Sequence, residues 1–142
     1  MTIETFKLQS RVRLLGYQPY SVFFEEAYRH HLFLSPSVSA GDGDTEGGAP
    51  LGLIEMAATG MPVLSTTHCD IPSVVHHGVT GYLAAERDVE GLIAGLQWWT
   101  AGTQRWPSIL EAGRRHIEHD YDAQKQGERL AQIYEKLLLK QS

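Results

Sequence analysis

Residues 51–66 read LGLIEMAATGMPVLST, and this stretch determines the class of fold. Leu51 and Ile54 lie one helical turn apart, and Gly60 follows as a residue suited to end a helix. The apolar run at residues 62–66 comes directly afterwards and predicts a buried strand. A helix that leads at once into a short apolar strand is typical of α/β proteins with a parallel sheet.

Three further short apolar runs, at residues 12–15, 32–34 and 81–84, are separated by segments with helical spacing. From about residue 88 the chain has helical periodicity only, which predicts a helical C-terminal tail. Short strands that alternate with helices predict an α/β fold with right-handed crossovers. We therefore expect a parallel sheet of about four strands with flanking helices.

Composition limits the classes of function. The 142 residues fit one domain over 1–142, and the net charge of −5 argues against a chain built to bind nucleic acid. No apolar run approaches the ~18–20 residues of a transmembrane helix, and the N-terminus has no signal-peptide pattern. Cys69 is the only cysteine, which suits a reducing compartment. We expect a cytoplasmic protein, with peripheral attachment to the inner membrane surface as an open alternative.

The polar segment at residues 36–50 lies between a predicted strand and the helix that starts at Leu51. Ligands bind beyond the carboxyl ends of strands in open α/β sheets, and a helix N-terminus favours an anion such as phosphate. Glu46 and Glu55 flank this segment and suit pairs of sugar hydroxyls. Three glycines let backbone N–H groups approach a ligand closely: Gly47, Gly48 and Gly52. The pattern indicates a nucleotide-sugar site; a loop beside a solvated glutamate is the alternative.

Several ordered motifs carry a family resemblance. They are SPS at 35–37, GDTEG at 43–47, EMAATGMPV at 55–63, TTHCDIP at 66–72 and GVTGYL at 78–83. Together they resemble the group 1 (family 4) glycosyltransferases, which are retaining enzymes with two Rossmann-like domains in the GT-B arrangement. The resemblance covers about residues 12–138 and implies that the chain is part of the C-terminal, donor-binding domain.

The resemblance also implies roles for individual residues. Glu46 would be the catalytic carboxylate, contacting hydroxyls of the donor sugar, and Glu55 would bind the ribose of the nucleotide. The other implied donor-binding residues are Gly47, Gly48, Ala49, Pro50, Leu51, Gly52, Leu53, Thr67 and His68. Eight residues separate the two glutamates rather than the family's seven, and residues 47–49 can absorb the extra one. The implied donor is a UDP- or GDP-sugar, with no metal and no further cofactor.

Two parts of the resembled family are not found in these 142 residues. They are the acceptor-binding domain and the two βα units that supply an Arg and a Lys to the diphosphate. We therefore expect transfer to an unknown acceptor only together with that missing half or a partner chain. The alternatives are a non-catalytic nucleotide-sugar-binding module and an α/β interaction domain. In the second case, the apolar stripe at residues 130–138 would mediate self-association.

Two other clusters have simpler interpretations. The run 68–70, His-Cys-Asp, could be read as metal ligands or as a cysteine nucleophile beside a histidine. Adjacent residues rarely all face one ion, so the sequence disfavours a metal site there, and we disfavour thiol catalysis as well. Trp98, Trp99 and Trp106 lie in the helical tail, where packing is a simpler role than stacking against a sugar.

Overall fold

The computed structural model describes residues 2–45, 48 and 50–139. The chain divides into two compact units, residues 1–30 and residues 31–142. Among the described residues, no helix has the length and apolar content needed to cross a bilayer.

The first unit contains helices α1 (Thr2–Thr5) and α2 (Tyr20–Ala27). Pro19 immediately precedes α2, a position that suits its fixed φ and missing N–H. The aromatic side chains of α2 pack on one another, with the rings of Tyr20 and Phe24 edge to face at 5.2 Å between centroids. An ion pair between Arg13 and Glu26 joins this helix to the segment that precedes it.

The prediction of a strand at residues 12–15 is wrong. These residues have no strand assignment, and the N–H of Val12 instead donates to the carbonyl of Leu8 at 2.9 Å, closing a turn. Leu14 is 71% exposed. An apolar run becomes a strand only where a neighbouring strand accepts its main-chain hydrogen bonds, and periodicity does not reveal that neighbour. The sheet therefore has three strands among the described residues rather than about four.

The second unit contains strands β1 (Phe33–Ser35), β2 (Val63–Thr66) and β3 (Tyr82–Ala84). They form a parallel sheet in the order β1-β2-β3, with Leu34 opposite Leu64 and Leu64 opposite Tyr82. The other three predicted strands are thus confirmed to within one residue.

Helix α3 (Leu51–Thr59) joins β1 to β2 and ends at Gly60, whose φ of 78° is left-handed. Both ends match the prediction. Helix α4 (Ile71–Val74) joins β2 to β3 and has only four residues. Val75 is extended, and His77 forms a bridge with Gly81, so the chain leaves the helix early.

The rest of the unit is helical, as predicted. Helix α5 (Val89–Ala101) is capped by Asp88, whose Oδ1 accepts the N–H of Gly91 at 2.8 Å. A short 3₁₀ turn leads into α6 (Trp106–Asp120), and α7 (Ala123–Leu139) follows.

The core consists of two apolar clusters, one on each face of the sheet, because successive strand residues point to opposite faces. Val63 and Leu83 belong to the first cluster, which packs against α3 and Ile117 of α6. Leu64 belongs to the second, with Trp99 and Ile109. The three tryptophans pack in or against this second cluster, which confirms their predicted packing role.

One glycine allows the close approach of α5 to the sheet. A Cβ at Gly95 would lie 2.5 Å from Leu64 Cδ1 and 2.8 Å from Tyr82 Cδ1. The absence of a side chain at Gly95 therefore lets the second cluster close around β2.

Candidate functional site

The strands are parallel, so their carboxyl ends meet at one edge of the sheet. We call this the carboxyl edge: the three segments that follow β1, β2 and β3, namely residues 36–50, 67–70 and 85–88. Ligand sites of open parallel sheets lie at this edge.

Side chains of β2 fix the start of the segment that follows β1. The hydroxyl of Ser65 donates to the carbonyl of Ser35 at 2.6 Å, and the hydroxyl of Thr66 donates to the carbonyl of Ser37. Both hydroxyl-bearing residues are buried. A buried hydroxyl without a partner costs free energy, so these two bonds hold the chain in one position as it leaves β1.

Glu86, after β3, links the other two segments of the edge. Its Oε2 accepts the N–H of Ser39 at 2.9 Å, and its Oε1 lies 2.8 Å from His68 Nδ1. The neighbouring Arg87 guanidinium donates to the carbonyl of Ser39. The main-chain N–H of Ser39, followed by the His68 ring, lowers the pKa of Glu86 below its ordinary value. Glu86 is therefore an ionised carboxylate at neutral pH.

The sequence interpretation missed Glu86. Its nearest signal was its place two residues after the end of a predicted strand, which is where side chains of parallel sheets reach ligand sites. Its two partners lie 47 and 18 residues earlier in the chain. No local motif reveals contacts of that range.

Thr67 and His68 occupy the segment after β2 in different ways. The N–H of Thr67 donates to the carbonyl of Ala84 at 2.9 Å, which extends the β2–β3 ladder, and its side chain is exposed at the edge. The His68 side chain is only 1% exposed. Because the carboxylate of Glu86 accepts hydrogen bonds only, His68 Nδ1 carries a hydrogen and Nε2 faces Cys69.

The chain changes direction at Cys69, within the segment that follows β2. Its φ of 45° lies in the left-handed region, and its side chain is exposed. An L-residue in that region carries strain of about 1–2 kcal/mol. The turn directs the chain into α4, whose Ile71 donates its N–H to the carbonyl of His68 at 3.1 Å.

Helix α3 starts at the carboxyl edge with Pro50 at its N-terminal boundary. Among the described residues, no side chain caps its first turn, and the N–H of Leu53 donates to the carbonyl of Pro50 at 3.0 Å. Leu51 is exposed, whereas Leu53 is buried in the first apolar cluster. Leu53 therefore anchors the start of the helix in the core.

Glu55 lies one turn after Leu51 on the same side of α3, since residues four apart share a helix face. It is half-buried. Met56 and Ala57, the next two residues, are buried against the sheet side of the helix. The structure thus places Glu55 near the start of α3, as the sequence predicted, at the margin of its buried face.

Three predicted site residues lie outside the described residues: Glu46, Gly47 and Ala49. Gly48, between them, is half-buried, and a Cβ at this position would meet no other atom within 4 Å. Earlier in the segment, the N–H of Ala40 donates to the carbonyl of Asp44 at 2.8 Å, and Asp42 accepts the N–H of Asp44. Residues 40–44 therefore form a closed turn.

Across the ranges that the structure describes, no three His, Cys, Asp or Glu side chains are arranged to hold a metal ion. The paired histidines after α4 have other contacts. The ring of His76 lies 4.5 Å from that of His116, and His77 Nδ1 approaches the main chain of Leu83. Both therefore help to join neighbouring elements.

Comparison with known protein sequences agrees with the family resemblance described above. A family model described as "Glycosyl transferases group 1" matches residues 2–101. The amylovoran biosynthesis glycosyltransferase AmsK of Erwinia amylovora is 35% identical over 130 residues, which is 92% of this chain and 32% of AmsK. The putative colanic acid biosynthesis glycosyltransferase WcaL of Escherichia coli K12 is 32% identical over 136 residues, or 95% of this chain and 33% of WcaL. The chain spans about a third of the length of these curated relatives.

Solved structures share the fold. Sucrose-phosphate synthase from Thermosynechococcus elongatus superposes with a TM-score of 0.81 at 19% identity, covering 97% of this chain and 33% of the synthase. HepE of Anabaena, solved in complex with UDP-glucose, gives a TM-score of 0.79 at 19% identity, covering 94% of this chain and 35% of HepE. These likenesses confirm the predicted α/β fold.

Proposed function

The chain belongs to the group 1 glycosyltransferases, and from that premise we propose that it forms part of the donor-binding half of such an enzyme. The complete enzyme would transfer a sugar from a nucleotide diphosphate to an acceptor with retention of configuration. The observation that carries this proposal is the start of α3 at the carboxyl edge. The family's donor motif, residues 46–55 of the sequence, ends on this helix at Glu55.

The donor's phosphates would lie at the start of α3. A helix N-terminus attracts anions through its main-chain N–H groups and dipole, and no side chain among the described residues caps this one. Gly48 and Gly52 keep side-chain bulk away from the approach to these groups. This contact would stabilise the leaving diphosphate electrostatically, without a protein nucleophile.

The remaining donor contacts follow from this placement. Glu55, one turn into α3, would accept hydrogen bonds from the ribose hydroxyls. Glu46 would be the catalytic carboxylate that contacts hydroxyls of the transferred sugar. The exposed side chain of Thr67 would border the sugar from the segment after β2, next to His68, whose own side chain is only 1% exposed.

The donor class and the process follow from the relatives. HepE is named as a complex with UDP-glucose, so a UDP-sugar is the first donor to test and a GDP-sugar the second. AmsK and WcaL are named for amylovoran and colanic acid biosynthesis, which supports a role in building a polysaccharide. The chain corresponds to about a third of these relatives, so we expect transfer only with the remaining two thirds of such an enzyme.

Helix α7 supports one further expectation about partners. Its apolar side chains are exposed: Leu130, Ile133, Tyr134, Leu137 and Leu138. An exposed apolar stripe promotes association. We expect the isolated chain to self-associate through this stripe, and sedimentation of the wild type and of Leu137→Glu tests this directly. Equal masses for the two proteins would contradict it.

The donor site is tested by thermal unfolding of the chain with UDP-glucose, GDP-glucose and ADP-glucose. A ligand at 100 times its dissociation constant stabilises the folded state by about 2.7 kcal/mol. Glu55→Gln removes a charged acceptor and should weaken UDP-glucose binding about tenfold or more. Glu135→Gln, which removes the same charge from exposed α7, is the matched control and should bind as the wild type does.

Two results would contradict the proposal. One is a folded chain whose melting temperature rises with none of the three nucleotide sugars. The other is a rise that is equal in the wild type and in Glu55→Gln, because the ligand would then bind elsewhere.

A further inference from the structure

Three side chains at the carboxyl edge form a continuous chain of contacts, and of the three only His68 is among the predicted donor-binding residues. Glu86 Oε1 lies 2.8 Å from His68 Nδ1, and His68 Nε2 lies 3.2 Å from Cys69 Sγ. The carboxylate comes from the segment after β3, and the imidazole and thiol come from the segment after β2. A nucleophile, a base within hydrogen-bond reach and a third group that orients the base are the recurring parts of an activated nucleophile.

The contacts determine which ring nitrogen faces the thiol. The carboxylate of Glu86 accepts hydrogen bonds only, so Nδ1 carries a hydrogen and the neutral ring presents the lone pair of Nε2. Nε2 is thus placed to accept the proton of the Cys69 thiol. The carboxylate then stabilises the imidazolium that forms, as a positioning residue.

The burial of His68 and the exposure of Cys69 also favour a reaction of the thiol. The His68 side chain is 1% exposed, so its ring is held between its two partners, while Cys69 is exposed to solvent. The left-handed φ of Cys69 directs the chain back so that adjacent side chains meet. The two adjacent side chains therefore meet, although the sequence interpretation disfavoured thiol catalysis at residues 68–70.

We propose that Cys69 is a nucleophilic thiol with His68 as its base and Glu86 as the positioning residue, and that it is a site of thiol–disulfide exchange with low-molecular-weight disulfides. The thiol proton passes to His68 Nε2, and the thiolate attacks one sulfur of the disulfide. The S–S bond of the small molecule breaks, and a bond forms between Cys69 Sγ and the attacked sulfur. The other sulfur leaves as a thiolate and takes up the proton, so the protein thiol is oxidised and half of the disulfide is reduced.

The reaction rate of the folded chain tests this proposal. Cys69 is the only cysteine, so the mass of the intact protein after timed exposure to iodoacetamide or glutathione disulfide reports this thiol alone. An ordinary free thiol is only a few per cent thiolate at pH 7. We expect folded wild type to react about tenfold faster than the same chain unfolded in urea.

A matched control places one thiol at a helical surface position. In a Cys69→Ser background, Gln97→Cys gives an exposed cysteine on α5. We expect Cys69 to react about tenfold faster than this thiol.

Three substitutions separate the roles of the partners. Glu86→Gln keeps an oxygen that can accept the Nδ1 hydrogen but removes the charge, so the rate should fall several-fold, whereas Glu86→Asp, which keeps the charge, should retain part of it. His68→Gln removes the base and should reduce the rate to the level of the control. If that variant does not fold, the comparison of the wild type with Glu86→Gln and with the surface control still tests the proposal.

A wild-type rate no greater than that of the surface control would overturn the proposal. So would a folded His68→Gln variant that reacts as fast as the wild type. Equal rates in Glu86→Gln and the wild type would overturn the role given to Glu86.

Discussion

The two halves of β2 are equally buried and have opposite chemistry. Val63, Leu64, Ser65 and Thr66 are all 0–1% exposed. The two apolar side chains join the two core clusters, one on each face of the sheet. The two hydroxyls instead hold the chain that leaves β1. The first half of the strand therefore supplies stability, and the second half sets the geometry of the carboxyl edge.

This difference shows how a small sheet supports both a core and a site. Apolar burial is non-directional and tolerates small shifts, whereas a buried hydroxyl must meet its acceptor in one geometry. Beyond the last strand residues, Glu86 and Arg87 hold Ser39 in the same way from the segment after β3. Directional hydrogen bonds thus fix the geometry of the carboxyl edge, and the apolar core holds the strands from which these bonds are made.

Removing a side chain from the apolar half should have the largest effect. Leu64→Ala opens a cavity between β2, Trp99 and Ile109, and we expect it to lower the free energy of unfolding by about 2–5 kcal/mol. Urea denaturation measures this. Leu96→Ala, at a 40% exposed position on α5, should cost clearly less. Equal losses at the two positions would show that Leu64 is not part of a close-packed core.

A substitution in the polar half should cost less. Thr66→Val keeps the shape of the side chain but leaves the carbonyl of Ser37 without its hydroxyl donor, so we expect a loss of about 1–2 kcal/mol. Thr100→Val is the control, because its hydroxyl bonds to carbonyls of its own exposed helix. A Thr66→Val loss as large as that of Leu64→Ala would remove the distinction between the two halves.

The turn that leads into β2 should be sensitive at a single residue. Gly60 has a φ of 78° and open space where a Cβ would stand, so Gly60→Ala costs only backbone strain, about 1 kcal/mol. Gly127→Ala, in exposed α7, should stabilise the chain by up to about 1 kcal/mol because alanine favours helix. Thermal unfolding should therefore show shifts of opposite sign, and shifts of the same sign would contradict this account.

The smallest effect concerns pH at the carboxyl edge. The pKa of Glu86 is lower in the folded chain than its ordinary value of 4.5, so the folded state binds fewer protons in that range. The stability that Glu86 contributes is present above that value and is lost as the pH falls through its folded pKa. Between about pH 6 and pH 4, the melting temperature of the wild type should fall more than that of Glu86→Gln. Parallel curves would contradict this expectation.

The sequence predicted the elements whose ends follow local rules. Gly60 ends α3 and Asp88 caps α5, and both were visible in the sequence because each acts on residues within one helical turn. The strand expected at residues 12–15 was wrong because strand formation depends on a neighbour that is distant in sequence. Glu86 was missed for the same reason, since its bonds to Ser39 and His68 cross between segments.

The candidate site likewise has one part that the sequence predicted and one part that it did not. The glycine-rich segment before α3 and the position of Glu55 on that helix follow from sequence alone. The contact between His68 and Cys69 required the left-handed turn at Cys69 and the carboxylate of Glu86 from another strand. The sequence interpretation had disfavoured both a metal site and thiol catalysis at residues 68–70.

The sequence by itself determined the family, the parallel α/β fold, the order of the helices and the start of α3. These features depend on periodicity, capping and motifs, which act over a few residues or recur in a fixed order. The tertiary structure alone decided that Glu86 joins Ser39 to His68, and that β2 changes from apolar core to hydrogen-bonded edge at Ser65. Those bonds join residues 18 to 47 positions apart, and only the folded sheet brings such groups together.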